Sequence, residues 1–553
     1  MKFWLALVLA AALSAQEVSQ SGRAMQAERP LVAQAERASH AMVASVHELA
    51  SQVGVEIMKR GGNAVDAAVA VGFALAVVHP EAGNLGGGGY MLIRMADGRA
   101  SAIDYKEMAP ASAHPGMYKV EDEQRVGYKA SAVPGTVAGL ALAHQKFGHL
   151  KWADVLEPAR RLAKDGFPAS QRMEIILALQ VPVMKQFPET ARLFLHGGEE
   201  PLKQGELVKQ PELAATIQRI QKGGAKEFYE GNTAQLIAAD MKANGGTITL
   251  EDLKNYKVME RAPLQGTYRG HPILAMGPSS SGGTAVIEML NILEKFPLGL
   301  GDEGSVKARH LHVEVARRAF RDRAEFSGDP AFFDIPTARL ISKEHAAALA
   351  KTISLTAASK AAVRPGAKES NETTHFSVID GEGNIVSNTY TLNGFYGSQV
   401  IAKGTGVLLN DIMSGFGARD RNAIGPGKRP VSSMSPVLVL NRDKTPWVAL
   451  GSPGSQTIPN TVLQVIVNMI DFKMSLRDAI EYPRIHHQGT PDRIDAEPGA
   501  LVREVADKLR AMGHTVGAAL RSQGDVHAVA VEPKTGMRLG WSDGRRGGKA
   551  IGY

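Results

Sequence analysis

From Val46 to Val78 the apolar positions recur with a helical period twice, in "VHELASQVGVEIMKRGGNAVDAAVAVGFALAVV". The first run stops at Gly61-Gly62, a C-terminal cap signal, and the second opens on Asn63 as N-cap. The second run is rich in Ala and Val on every side, so the pattern predicts a helix buried all round. Residues 136 to 355 read mainly as amphipathic helical segments broken by Pro and Gly. After Thr373 the period changes to two, in "HFSVID", "IVSNTYTL", "PVLVL" and "PWVALG", with one strong helix at about 460 to 482. Helices drawn together with strands from distant parts of the chain predict a layered α/β sandwich.

At 553 residues the chain can hold two to four domains or one large layered body. Its first fifteen residues, "MKFWLALVLAAALSA", put Lys2 before an apolar run that ends in small residues, as a signal peptide cut near Ser14 or Ala15 does. Residues 16 to 40 form a polar leader, and no later apolar run is long enough to span a bilayer. With 44% hydrophobic and 22% charged residues the composition is that of a globular protein. The net charge of +7 is scattered, "GRRGGK" at 544 to 549 reads as a solvated tail, and no nucleic-acid partner is expected. The absence of cysteine removes disulfides, Cys-type metal sites and Cys nucleophiles.

Several patterns carry no chemistry. "GNLGGGGY" (83 to 90) lacks the endings of phosphate and dinucleotide loops and reads as a close-packed backbone turn. In "HLHVE", His310 and His312 would point to different faces of a helix, as core or surface histidines. "RIHHQ" at 484 to 488 shares that weakness. More informative is "NETTHFSVIDGEGNIVSNTYTLNGFYG". If its two strands pair across "GEG", Asp380 faces Asn384, Thr373 lies opposite Thr391, and Asn393 shares their face. A loop one residue longer would give Thr374 that place.

"MVASVHELASQVGVEIMKRGGNAVDAAVAVGFALAVVHPEAGNLGGGGYMLIR", "PGTVAGL", "PSSSGG", "ETTHFSVID", "NTYTLN", "GPGKRPVSSMSP" and "GSPGS" follow one another in this chain. In that order they resemble the gamma-glutamyltranspeptidases (glutathione hydrolases) of the N-terminal-nucleophile hydrolase superfamily. The resemblance implies a four-layer αββα sandwich made as a precursor that cuts itself between Glu372 and Thr373. Residues 41 to 372 would be the large subunit and 373 to 553 the small one, both within one sandwich. Thr373 would then be the nucleophile and, through its freed amine, the base. Thr391 would orient it, and Gly454 and Ser455 would form the oxyanion hole. Lys106, Asn393, Ser432 and Ser433 would bind substrate, with neither metal nor cofactor.

The family's pattern is incomplete here. Lys106 stands where an arginine is expected and keeps the charge without the bidentate fork. Gly415 and Ile412 replace an acidic and a polar contact for the substrate's amine, and Asp411 and Asp420 are the nearest acids in sequence. The expected activity is a periplasmic or secreted γ-glutamyl hydrolase/transpeptidase acting on glutathione and related amides, with an amino acid, a peptide or water as acceptor. The alternatives are an amidase or acylase for glutaryl-type side chains and a self-cleaved binding protein without turnover.

Overall fold

A computed structural model describes residues 34 to 360, 372 to 417, 421 to 518 and 522 to 553. The expected signal peptide, most of the polar leader and Asp420 lie outside the described residues. Residues Glu36–Tyr553 form one unit built on two seven-stranded sheets. In the first the order is Lys549–Gly552, Met42–Ser45, Glu372–Ile379, Ile385–Asn393, Gly88–Arg94, Ala100–Asp104 and Met259–Arg261. In the second it is Glu36–Ala38, Arg538–Ser542, His527–Val531, Pro446–Leu450, Val437–Leu440, His271–Ala275 and Leu264–Tyr268. Helices cover the outer face of each sheet, giving the αββα layers.

The helix Ala64–Val78 packs on the first sheet, with all its residues buried, as its all-round apolar sequence requires. Asn63 caps it in a capping box with Asp66, and Asp380 from the hairpin turn accepts from Ala64 N at 2.8 Å. The preceding helix spans Glu48–Lys59. On the second sheet lie Gly282–Leu293 and, against it, Ile458–Ile470. The expected helix at 460 to 482 is two helices, Ile458–Ile470 and Leu476–Glu481. Lys473 turns the chain with a positive φ of 55°, and Ser475 caps the second piece through Asp478 N.

The hairpin at the centre of the first sheet is the structural basis of the site. Ile379 pairs with Ile385 and Thr374 with Tyr390, in the expected register, so Thr374 does not face Thr391. Phe376, Val378, Tyr390 and Leu392 enter the core beneath the helical layer. The alternate side chains are polar and contact the second sheet: Ser377 Oγ donates to His527 O and Ser387 Oγ to Leu450 O, both at 2.9 Å. His375 is held between Thr389 and Ser377. Burial, with His527 nearby, holds its imidazole well below the usual histidine range, so it is neutral. A hydroxyl-rich strand face therefore satisfies its polar groups across the sheet interface.

Candidate active site

The regular register ends at Thr373. Glu372 pairs with Asn393 and Thr374 with Tyr390, so Thr373 alone opposes Thr391 and Leu392. This bulge bends the strand pair at its open end, and Asn393 accommodates it with a φ of 83°, a region that asparagine tolerates. Thr373 Oγ1 donates to Thr391 Oγ1 at 3.3 Å. Thr391 Oγ1 in turn donates to Glu372 O at 2.7 Å and accepts from Asn393 N at 2.7 Å. The two threonines meet at the hairpin mouth as the register requires, and the carbonyl just before Thr373 is hydrogen-bonded by the second of them.

Glycines allow this approach. A Cβ on Gly87 would lie 2.1 Å from Thr391 O, and one on Gly88 would lie 2.6 Å from Tyr105 O. "GNLGGGGY" is thus a close-packed backbone segment against the hairpin, as expected.

Lys106, Thr373, Thr391, Asn393, Ser432 and Ser455 face one cavity, closed on its other sides by Ile412, Gly415, Val431, Met434 and Ile458. Among these described lining residues none is acidic. Lys106 is buried, and its Nζ donates to Glu107 Oε2 at 2.6 Å, so the cation in the wall already has a partner. Ser433 and Gly454 are not among the lining residues; Ser433 is fully buried beside Ser432, and Gly454 precedes Ser455 in the turn. Gly454 has a φ of 129° and Ser455 one of 57°, the latter an uncommon conformation for a non-glycine residue.

The motif "PSSSGG" supports the cavity wall formed by Ser432 and Met434. Ser281 donates to Ser432 O from its backbone N–H and from its hydroxyl, each at 2.8 Å, while Arg323 Nε donates to Ser281 Oγ at 2.8 Å. Ser280 Oγ reaches Met434 O at 2.6 Å. The loop carrying Ser432 is therefore held from behind by the start of the helix Gly282–Leu293.

Asp411, one of the two nearest acids in sequence, is not among the lining residues, and two further features were not foreseen. Asp411 is buried behind the cavity, where Gly394 N donates to Oδ1 at 2.6 Å and Asn393 Nδ2 to Oδ2 at 3.2 Å. Burial pushes its carboxyl up to about 7. Glu372 is held by Arg546 NH1 at 2.9 Å, with Arg172 NH2 3.8 Å away. Finally, "GRRGGK" is not a solvated tail, because the Arg545 side chain, only 10% exposed, pairs with Glu497 and Asp543. A pair of adjacent arginines near a chain end carries no signal of such partners; only the folded topology brings them to Glu372 and Glu497.

The other histidine motifs are core elements. His310 bonds His514 and Ser354 O from the helix Val306–Phe326. His312 is buried, and burial together with Arg309 lowers it to about 3. In "RIHHQ", His486 bonds Asn460 and Gln488, and His487 bonds Asp492.

The sequence resembles characterised proteins along most of its length. It is 43% identical to a glutathione hydrolase proenzyme of Escherichia coli, over 92% of this chain and 91% of that one. It is 39% identical to an acylase ACY 1 proenzyme of a Pseudomonas species, over 90% of each chain. The crystal structure of a cephalosporin acylase from Bacillus halodurans superposes with a TM-score of 0.83 at 26% identity, covering 95% of this chain and 98% of that one. Residues 50–553 match the sequence model of gamma-glutamyltranspeptidase. With the αββα layers and a threonine at the mouth of the central hairpin, these matches make the chain a member of the gamma-glutamyltranspeptidase family, enzymes of the N-terminal-nucleophile hydrolase fold.

Proposed function

We propose that the chain cuts itself before Thr373 and then acts as a γ-glutamyl hydrolase/transpeptidase on glutathione and related γ-glutamyl amides. The observation that carries the proposal is the contact of Thr391 Oγ1 with both Thr373 Oγ1 and Glu372 O. In the uncut chain Thr373 Oγ attacks the Glu372 carbonyl carbon, the peptide nitrogen departs as the α-amine of Thr373, and water hydrolyses the resulting ester. The freed amine, with an ordinary pKa near 7.7 to 8.0, can then take the hydroxyl proton when Thr373 attacks a donor amide. The donor's amine leaves with that proton, and water or an acceptor amine releases the acyl group from Thr373. Backbone N–H groups at Gly454 and Ser455 meet the oxyanion. Lys106 and Ser432 hold the donor's α-carboxylate, with Asn393 as a further polar contact.

Export by residues 1 to 15 to the periplasm or medium belongs to the same proposal. Among the described residues no helix is long and apolar enough to cross a membrane. The two fragments stay associated.

A second reading is favoured by the cavity wall, where Ile412 and Gly415 offer no counter-charge to a donor ammonium. An acylase taking glutaryl-type groups has no such ammonium to bind. Turnover of γ-glutamyl and glutaryl anilides by the processed protein separates the two. Strong preference for γ-glutamyl supports the first reading, and equal or better glutaryl turnover supports the second.

A further inference from the structure

Three helices on the outer face of the second sheet, Gly282–Leu293, Val306–Phe326 and Lys343–Ala350, bring Glu288, Asp322 and His345 together. Glu288 and Asp322 are buried, and His345 is nearly so. One ligand atom from each lies within 4.8 Å of the others. His345 Nε2 is 2.6 Å from Asp322 Oδ2 and 3.8 Å from Glu288 Oε1. Arg321 NH2 holds Asp322 Oδ1 at 3.0 Å, leaving Oδ2 turned to the group.

Protein partners do not close this cluster. Two buried carboxyl groups, Glu288 and Asp322, face each other across one imidazole, an arrangement that is costly without a compensating charge. Glu288 Oε1 has no hydrogen-bond partner. Glu288 also lines a cavity with Thr284, one turn earlier on the same helix, and Thr284 Oγ1 is likewise without a partner. A comparable trio, His310, Glu314 and His514, is occupied differently: Arg318 and Ser359 take the Glu314 carboxylate, and Ser354 O takes one nitrogen of His310.

We propose that Glu288, Asp322 and His345 bind one divalent cation of the zinc or manganese class, with water on the cavity side. Two carboxylates and one imidazole suit those ions, whereas calcium and magnesium take oxygen ligands. The cation compensates the buried carboxylates and gives Glu288 Oε1 a partner. None of the three residues lines the catalytic cavity. The ion ties three helices together, and the first of these starts beside Ser281, which holds the Ser432 loop. Its role is that of a clasp.

The test uses chelator-treated, tag-free, full-length protein titrated with zinc chloride and with manganese chloride in a calorimeter. One ion per chain is expected, with a higher Tm at saturation. E288Q and H345Q should each weaken binding by at least about tenfold, and H514Q should leave it unchanged. No binding, binding unchanged in both E288Q and H345Q, or loss only in H514Q would overturn the proposal. Should H345Q and E288Q fail to fold, pulsed electron paramagnetic resonance of the manganese-loaded wild type decides. Coupling to a single imidazole nitrogen supports the site, and its absence sinks it.

Discussion

The hydroxyl of Thr391 donates to the carbonyl oxygen of Glu372 at 2.7 Å while also accepting from Thr373 Oγ1, so one side chain touches both ends of the expected acyl shift. Thr391→Ala removes both contacts and the bond accepted from Asn393 N, and with the hydroxyl it takes only one buried methyl. Loss of such a buried bond costs about 1 to 3 kcal/mol, which corresponds to roughly 5- to 150-fold in rate. Self-cleavage on a denaturing gel should slow by that order, with an unchanged far-ultraviolet spectrum. Cleavage at the wild-type rate would show that the contact has no kinetic role.

Thr373→Ala should leave one uncut chain. In the wild type, mass spectrometry should find a fragment from Thr373 to Tyr553. An active protein that stays a single polypeptide would exclude the N-terminal threonine mechanism.

Arg546→Ala frees the Glu372 carboxylate from its partner at 2.9 Å, leaving Arg172 at 3.8 Å. Self-cleavage should slow several-fold, because the residue before the scissile bond is less firmly placed. Arg546→Lys should recover part of the rate, since a lysine keeps the charge but not the planar fork. Time courses of cleavage for the three proteins measure this.

Gly415→Asp introduces the carboxylate that the cavity wall lacks. A Cβ at Gly415 would meet Pro430 Cβ at 3.5 Å and Ile412 Cδ1 at 3.6 Å, both ordinary contacts, so the substitution should fold. The kcat/KM for a γ-glutamyl anilide should rise while that for the glutaryl analogue does not. If neither changes and the wild type already prefers γ-glutamyl strongly, the donor ammonium is held elsewhere.

Asp411→Asn reports on a buried acid. Burial raises the Asp411 carboxyl from 3.8 to about 7, so the folded chain keeps a proton that the unfolded chain releases. Stability from this group is present at low pH, is lost as pH rises from about 4 to 7, and is flat beyond. The variant escapes that loss, so its advantage should grow across the same window to roughly 4 kcal/mol at most. Melting temperatures between pH 4 and 9 measure it, and a constant difference would show that Asp411 does not titrate there.

Much of the framework was legible because strong local signals agree with the packing. Asn63, Gly61-Gly62 and the all-apolar run after them mark two helices, and counting outward from Asp380 and Asn384 places Thr373 beside Thr391. The bulge was not legible, since it depends on Asn393 adopting a positive φ at the mouth of an otherwise regular pair. The break after Ile470 escaped notice because Lys473 and Ser475 interrupt a continuous amphipathic pattern only through backbone geometry and capping. Partners distant in sequence, such as Arg546 on Glu372 and Asp411 on Gly394, emerge only from the fold. The departures at Lys106, Ile412 and Gly415 were visible as residues, and the structure adds that all three line one cavity.

The strand order of the first sheet bears on the protein after the cut. The hairpin that begins at Glu372 is flanked by Met42–Ser45 and Gly88–Arg94, and Lys549–Gly552 lies beyond Met42–Ser45. Strands from before and after the proposed cut at Thr373 are thus woven together, so breaking that peptide bond would release neither piece. What changes is molecularity. The uncut chain folds in a unimolecular step, whereas the cut protein, once unfolded, becomes two chains that must find each other. Its refolding yield should therefore fall with dilution, while that of uncut Thr373→Ala should not. Self-cleavage before Thr373 would turn a one-chain fold into an assembly whose persistence rests on never coming apart.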